Sequence, residues 1–439
     1  MEGILFIVYA VLFVVLILRW RFFHVSGVPR KYILMVFALK LLCGFALAML
    51  YSEHYSDRST GDTYRFFDDA KVIYESSREG WDVYAKLLTG IGMEEDERAM
   101  EAYYEMTHLE RSYPVGFYND NKTIIRANAL IMLFSGGNYF VHIVFWCFAS
   151  LIGLTAILKV LVRYYPRKKV AMFSSVYLLP TVLFWGSGVL KEPILILGLG
   201  LFFRGIFRWV YGEFKPKNSV GLIVGILLLI LTKGYVFFAL LPAAAGLVLA
   251  KAFPRKNFYL LFGVPHLLMV LLILTGKYIH PELNIAEKLR LKQEAFYNVA
   301  ADAGSGSTIS LPRINSAADV FVNAPNAMVV SYLRPWPWNW NKLLYIPAAL
   351  ENFLLILVLV AMAWNFRKPY GLGIPVIAFG ISFAVTLGIL IGEVVPVLGA
   401  VVRYKLPSLI FVFVVAFALT DHIKFQRRLP FVRKILRKL

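Results

Sequence analysis

The sequence predicts an all-α fold, a polytopic bundle of transmembrane helices with two long loops on the outer face. Of its 439 residues, 59% are hydrophobic and 15% are aromatic, and the mean hydropathy is +0.66. Apolar runs recur from one end of the chain to the other, and helices of roughly 20 such residues cross a bilayer. The basic residues lie mainly in the short connections between these runs. We therefore expect a single integral membrane domain over residues 1–439.

About eleven apolar segments are long enough, or nearly long enough, to be crossings. In chain order they are Gly3–Leu18, Tyr32–Tyr51, Asn138–Val162, Val170–Phe184, Pro193–Phe207, Val220–Leu231, Tyr235–Ala250, Asn257–Thr275, Leu343–Trp364, Gly371–Gly392 and Leu406–Asp421. The first segment lacks the basic start and the small-residue cleavage pattern of a signal peptide, so we expect it to be retained as a helix.

The lysines and arginines orient this bundle. If the connector Arg19–Lys31 is cytoplasmic, every short basic loop falls on the same side, as the positive-inside rule requires. The basic tail, residues 422–439, is then cytoplasmic too. The two long loops, residues 52–137 and 276–342, fall on the outer side. An odd number of spans places the N-terminus outside and the C-terminus inside.

This topology accounts for the net charge of +19. Basic loops and a basic tail next to a membrane bind anionic lipid headgroups, so we expect membrane lipids and not nucleic acid as the partner of these charges. Cys43 and Cys147 both lie inside apolar runs and predict packing residues. The sequence has no glycine-rich phosphate loop, no Rossmann pattern and no zinc-ligand spacing.

The segment Trp185–Pro193 places Lys191 next to Glu192 in a tight turn between two apolar runs. Ionisable residues at such a position are costly unless they meet water, partners or a ligand, so the turn is a candidate site. Lys191 is a candidate substrate-binding cation and Glu192 a candidate catalytic residue, as an alternative base. The alternative is a plain polar turn in which Lys191 extends toward headgroups.

The first long loop contains Asp62, which follows a glycine and precedes an amphipathic stretch. Asp62 is a candidate catalytic base that takes a proton from a hydroxyl, with Asp68 and Asp69 nearby as assistants or as ligands of a divalent cation. The alternative is that Asp62 only caps a helix. Further along, Ile124–Phe134 is apolar but short for a span and predicts an interfacial or re-entrant helix.

The second long loop ends in alternating prolines and tryptophans after Arg334. Trp336 and Trp338 are candidate binding surfaces for a sugar ring or a prenyl chain, and Arg334 is a candidate cation for phosphate. The alternative is an aromatic belt at the membrane interface.

Near the C-terminus, Arg403, Tyr404 and Lys405 lie at the start of the last predicted span. Two cations on the outer side depart from the positive-inside rule, which favours a role in gripping a diphosphate over a role as interface anchors. Further charged candidates are Lys233, Glu351 and Glu393, any of which could instead pair with a neighbour.

A resemblance rests on four segments: Gly61–Tyr64, Trp185–Pro193, Leu333–Trp338 and Val402–Pro407. Together they resemble a group of bacterial membrane proteins associated with surface-polysaccharide synthesis, whose layout is similar to GT-C-type glycosyltransferases that use polyprenyl-phosphate-linked sugars. The resemblance implies a bacterial cytoplasmic (inner) membrane location, a polyprenyl-linked sugar donor and a base or metal-associated acid at Asp62. No tight Asp-x-Asp or Glu-x-Asp pair stands at Asp62, so no cofactor is certain and a divalent cation stays a candidate.

The resulting hypothesis is a membrane glycosyltransferase of surface glycan or polysaccharide synthesis. A less close resemblance, to O-antigen polymerases and ligases, implies a polyprenyl-diphosphate glycan gripped by outer-face arginines. The competing class is a transporter or flippase of lipid-linked glycans, in which the same cations guide an anionic substrate and in which inverted repeats and broken helices are expected. A third class is a structural subunit of a larger assembly.

Overall fold

The computed structural model describes residues 2–54, 58, 61–107, 109, 119–212, 216–302, 307–336, 338, 345–369 and 371–428. Over these ranges the chain is helical, and the only extended pairings are isolated bridges. The predicted all-α fold is therefore confirmed. The helices are α1 Glu2–Arg19, α2 Arg30–His54, α3 Asp62–Glu75, α4 Trp81–Thr89, α5 Glu97–Glu105, α6 Asn121–Ser135, α7 Tyr139–Tyr164, α8 Lys169–Tyr177, α9 Pro180–Trp185, α10 Lys191–Tyr211, α11 Pro216–Ala252, α12 Phe258–Ile279, α13 Ile285–Asp302, α14 Asp319–Val322, α15 Ala324–Leu333, α16 Ile346–Trp364, α17 Ile374–Val394, α18 Leu398–Tyr404, α19 Leu406–Leu419 and α20 His422–Arg428.

The chain divides into two compact units. The first unit comprises Met1–Lys159, Val182–Phe207 and Lys215–Phe237, and the second comprises Val160–Thr181, Arg208–Phe214 and Phe238–Leu439. The expectation of a single membrane domain stays a prediction. The contacts described below each lie within one unit.

Among the described residues, seven helices are long and apolar enough to cross a membrane, and an eighth crossing results if the bent pair α18 and α19 counts as one. The seven are α2, α7, α10, α11, α12, α16 and α17. The membrane character of the chain is thus supported, but the count of about eleven is not confirmed. The predicted and observed numbers of spans differ because of three parts of the chain: α1, the α8–α9 pair and α11.

In each part, the structure shows why a predicted span is not counted. The apolar part of α1, Gly3–Arg19, is shorter than the seven spans. The predicted span Val170–Phe184 is interrupted between α8, of 9 residues, and α9, of 6 residues. The predicted spans Val220–Leu231 and Tyr235–Ala250 lie within the single 37-residue helix α11.

Helix α11 breaks at Lys233, whose φ of −146° and ψ of 78° are not helical. A straight helix of this length would extend roughly 56 Å at 1.5 Å per residue, well beyond a hydrocarbon core of about 30 Å. The break at Lys233 is therefore the point at which the axis of this long apolar segment changes.

The two long loops contain helices of their own. Residues 52–137 include α3 to α6, and α6 contains the whole of the predicted interfacial segment Ile124–Phe134. Helix α6 ends at Gly136 in the left-handed conformation, a usual helix stop. Residues 276–342 include α13, α14 and α15. The placement of both loops on an outer face stays a prediction, and residues 429–439 of the predicted tail lie outside the described residues.

Glycines let particular helices touch backbone to backbone. In the first unit, a Cβ on Gly200 of α10 would collide with the backbone of Gly153 on α7. In the second unit, a Cβ on Gly392 of α17 would collide with the backbone of Ala327 on α15. These close approaches fix α10 and α15, and with them the charged residues at the ends of both helices.

The predicted orientation can be tested with single cysteines in a background without the two native ones. Lys71→Cys and Arg313→Cys should react with a membrane-impermeant thiol reagent added to intact cells, while Arg167→Cys and Lys424→Cys should react only after the membrane is opened. All four positions are exposed, so a difference in labelling reports the side of the membrane. Labelling of the second pair in intact cells would contradict the orientation.

Candidate functional site

A buried lysine forms a hydrogen bond to the backbone of the Trp185–Pro193 turn. In the first unit, α9 ends at Trp185 and α10 begins at Lys191, and the buried ammonium of Lys40 on α2 donates a hydrogen bond of 2.8 Å to the Gly186 carbonyl. A Cβ on Gly186 would collide with the Val182 carbonyl oxygen and would come within 3.2 Å of this ammonium. A larger side chain would therefore disturb the turn, and it would displace Lys40 slightly.

Lys40 is a site residue that our sequence reasoning missed. It is fully buried within α2, a helix apolar enough to span the membrane. The signal was present, because a lysine in the middle of an apolar span is uncommon and usually functional or specifically paired.

The two charges of the turn make different contacts. Lys191 forms an ion pair of 2.7 Å with Asp120, directly before α6, and lies over the ring of Phe66. Glu192 forms an ion pair of 3.0 Å with Lys233, at the break in α11, and both side chains are almost completely buried. Lys191 thus has a specific partner and does not simply extend toward headgroups. The burial of Glu192 with a counter-charge favours a structural role, and its catalytic role stays a prediction.

Asp62 begins α3 in the first unit and is partly exposed. The cap of α3 is Gly61, without a side-chain cap bond, so the expectation that Asp62 caps the helix is wrong and Asp62 is the first helical residue. The helix dipole favours a carboxylate at this position.

The two neighbouring aspartates of the first loop already have partners within the protein. Asp68 forms a bidentate pair with Arg58. Asp69 is buried and accepts hydrogen bonds from the backbone N–H groups of Thr107 and Leu109. Among the described residues, no three His, Cys, Asp or Glu side chains are grouped so as to hold a metal ion. These contacts do not favour Asp68 and Asp69 as metal ligands.

In the second unit, α15 carries Arg334 at its end. The hydroxyl of Tyr332 lies within hydrogen-bond distance of the Ala384 carbonyl, at 2.7 Å, and of Ser408 Oγ, at 2.8 Å. Ser331 donates to the Gly388 carbonyl at 2.5 Å. The end of α15 is therefore anchored to both α17 and α19, and the chain leaves it at a fixed position.

Asn352 joins the turn after α15 to Lys405. Its Nδ2 donates to the Pro335 carbonyl at 2.9 Å, and its Oδ1 accepts a hydrogen bond of 2.6 Å from Lys405 Nζ. Both side chains are fully buried. Lys405 lies at the junction of α18 and α19, whose axes differ by 61°. One amide side chain on α16 thus brings together two predicted site segments that are far apart in sequence.

A carboxylate lies near Lys405. Glu351, also on α16, is buried and close enough to interact with the charge of Lys405. Its Oε1 accepts from Thr181 N at 3.0 Å, and the Thr181 hydroxyl donates to its Oε2. Glu351 therefore also provides a hydrogen-bond acceptor for a backbone N–H group in the first turn of α9.

Arg334 has an unused donor. Its Nε is buried and has no hydrogen-bond partner among the described residues. Buried guanidinium N–H groups are normally paired, so this N–H group is available to an acceptor from a ligand or from residues outside the described ranges.

The tryptophans after Arg334 stack on each other. The rings of Trp336 and Trp338 are 5.2 Å apart and within 6° of parallel, and 69% of Trp338 is exposed. Arg403 and Tyr404 are partly exposed, and the Tyr404 ring packs edge-on against Phe296. Pro337 and residues 339–344 of the same segment lie outside the described residues.

The second unit thus combines Arg334, Lys405 and an exposed indole stack around Asn352. The first unit gathers Lys40, Lys191 and the Glu192–Lys233 pair around one turn. A neutral residue, Asn352, makes the bridge in the second unit, and no charge or motif in the sequence could have indicated it.

No family model, curated protein or solved structure matches this chain. Its function must therefore be argued from the chemistry of these side chains.

The buried Glu192–Lys233 pair predicts a large effect on stability. Glu192→Gln removes the carboxylate that meets Lys233 and should lower the free energy of unfolding by about 3 to 5 kcal/mol. Thermal unfolding in detergent measures the loss. The double variant Glu192→Gln/Lys233→Met should recover much of it, because no buried ammonium then lacks this counter-charge.

The double variant also separates structure from catalysis. If Glu192 is only structural, activity should return together with stability. A stable double variant without activity would assign a catalytic role to Glu192 or to Lys233.

Proposed function

We propose that the protein is a membrane glycosyltransferase that transfers a sugar from a polyprenyl-phosphate-linked donor, in surface glycan or polysaccharide synthesis at the outer face of the bacterial cytoplasmic membrane. The observation that carries the proposal is the bridge through Asn352, which joins the Arg334 turn to Lys405. It supports a preorganised site for the phosphate of such a donor.

Cations are needed where the glycosidic bond breaks. The leaving phosphate gains negative charge, and fixed donors aimed at that charge lower the barrier. Arg334 suits direct contact because its buried Nε–H lacks a partner among the described residues. Lys405 is fully buried, so its proposed action on the phosphate is electrostatic and indirect. Through Asn352 it also fixes the turn that carries Arg334. Arg403 is the further candidate cation in the second unit, and Lys191 is the candidate cation of the first unit.

The indole stack suits the remainder of the donor. Trp338 presents a broad exposed surface next in sequence to the phosphate-binding arginine. Flat aromatic faces pack against the apolar face of a sugar or against an isoprene chain. An aromatic belt is the alternative reading of Trp336 and Trp338.

Asp62 is the proposed base. A general base takes the proton of the acceptor hydroxyl as the hydroxyl oxygen attacks the anomeric carbon. The first turn of α3 stabilises the ionised form that this step requires. The two alternatives within this chemistry are a polymerase or a ligase that uses a polyprenyl-diphosphate glycan.

A transporter of lipid-linked glycans is the second candidate, and one observation favours it. The helices break at Lys233 and between α18 and α19, and broken helices are frequent at transporter binding sites. Purified protein in proteoliposomes with a labelled polyprenyl-linked sugar distinguishes the two. Sugar transfer to an acceptor supports the enzyme, and movement of intact donor across the bilayer without transfer supports the transporter.

Arginine geometry provides a sharper test of the phosphate site. Arg334→Lys and Arg403→Lys keep the charge but lose the planar fork, so donor binding should weaken about ten- to a hundredfold. Arg313→Lys, at an exposed position, is the matched control. Transfer is measured as a function of donor concentration in variants of equal expression. Unchanged sugar transfer in both variants would contradict phosphate binding by these arginines and would indicate that they only anchor the protein at the membrane interface.

Asp62→Asn separates catalysis from binding. The amide cannot accept the proton, so turnover should fall by about 10² to 10⁴ while the donor KM changes little. If Asp62 only interacts favourably with the dipole of α3, activity should persist, and the variant should lose about 0.3 to 1 kcal/mol of stability. Glu75→Gln, which removes the charge of a surface ion pair on the same helix, is the control. Normal turnover in Asp62→Asn would exclude it as the base.

A further inference from the structure

Glu393 lies in the last turn of α17, in the second unit, with only 2% of its surface exposed. Neither carboxyl oxygen has a hydrogen-bond partner among the described residues. A buried carboxylate without partners is strongly unfavourable. Protonation of Glu393 would let one oxygen donate to a neighbour but would leave the other oxygen without a partner among the described residues. A cation, in contrast, satisfies both oxygens at once.

The surroundings of Glu393 add negative charge and polar groups. Asp319, the first residue of α14, is close enough for the two carboxylates to repel each other. Its Oδ2 accepts hydrogen bonds from the N–H groups of Asn315 and Ser316, which hold the pKa of Asp319 below its usual value. These bonds hold the Asp319 carboxylate in place beside Glu393.

Asn323, between α14 and α15, completes the group. Its amide is close to the Glu393 carboxyl, but the two do not meet hydrogen-bond geometry, and Asn323 Nδ2 is buried without a partner among the described residues. The oxygen and nitrogen of such an amide are assigned from hydrogen bonds, and here none fixes them. The opposite orientation presents Oδ1 to the space beside Glu393.

Hydrogen bonds hold the backbone around Glu393 in place. Gln293 on α13 donates to the Glu393 carbonyl at 2.6 Å and to the Pro312 carbonyl at 3.1 Å. Beyond the end of α17, Ile309 N donates to the Pro396 carbonyl at 2.8 Å. Asp319 is partly exposed whereas Glu393 is buried, so Asp319 lies on the solvent side of the pair.

We propose that Glu393, Asp319 and Asn323 bind a hard divalent cation, Ca²⁺ in preference to Mg²⁺. Two carboxylates match its charge, and carboxylate, amide and backbone oxygens are the ligands it prefers. Ca²⁺ accepts an irregular set of such ligands, whereas Mg²⁺ demands near-octahedral geometry and retains water. With only two acidic ligands, the site relies on amide and backbone oxygens. It does not depend on the proposed sugar transfer.

The test uses the full-length protein in lipid nanodiscs after treatment with a chelator. Ca²⁺, Mg²⁺ and Na⁺ are added separately, and Tm is measured as a function of concentration. Ca²⁺ should raise Tm at the lowest concentration, because a ligand of the folded state stabilises it. Glu393→Gln and Asp319→Asn should each weaken the apparent affinity at least roughly tenfold, and Asn323→Asp should strengthen it. Glu294→Gln, in an exposed ion pair on α13, should bind as wild type.

Other outcomes overturn the proposal. A Tm that no cation changes, or a response of Glu393→Gln equal to that of wild type, would exclude the site. A response to Na⁺ alone would exclude a divalent ion. If Glu393→Gln does not fold, the partly exposed Asp319→Asn still decides, since an undiminished Ca²⁺ response there contradicts the assignment.

Discussion

A charge inside an apolar helix bundle must be met by another polar group, and this constraint organises both units. Lys40 meets a backbone carbonyl of the Trp185–Pro193 turn, Lys233 meets Glu192, and Lys405 meets Asn352. Each contact joins helices that are distant in sequence. Apolar packing alone tolerates small shifts between helices, but a buried ammonium loses its partner when the helices slide. The buried lysines therefore define the register in which the site residues are presented.

The same constraint separates cations that are neutralised from cations that remain available. Lys191 and Lys233 each face a carboxylate within ion-pair distance. Lys405 donates its hydrogen bond to a neutral amide, but the buried Glu351 is close enough to offset part of its charge. The Nε–H of Arg334, in contrast, has no hydrogen-bond partner among the described residues. Within the second unit, Arg334 is therefore the cation best suited to contact an anionic headgroup.

The sequence predicted the class of fold and several charged residues of the site, but not their partners. Hydropathy measures how many apolar residues follow one another, so it could not detect that α8 and α9 are separate or that α11 is continuous except at Lys233. Lys191, Glu351 and Lys405 were recognisable because charges are rare in apolar runs. Their partners lie 53 to 170 residues away, a separation that no local pattern encodes. Asn352 carries no charge and could only be found from the structure.

The bend at Lys405 bears on the choice between enzyme and transporter. In transporters, broken helices leave backbone groups open toward the substrate. Here the Lys405 carbonyl accepts from Ser408 N at 3.1 Å and Leu409 N at 2.9 Å, and its N–H donates to the Val401 carbonyl at 3.0 Å. The backbone at this break is therefore satisfied by its own two helices, and only the Lys405 side chain projects from it to Asn352. Such a closed break favours a fixed catalytic site, because electrostatic stabilisation of a leaving group depends on donors that do not move during the reaction.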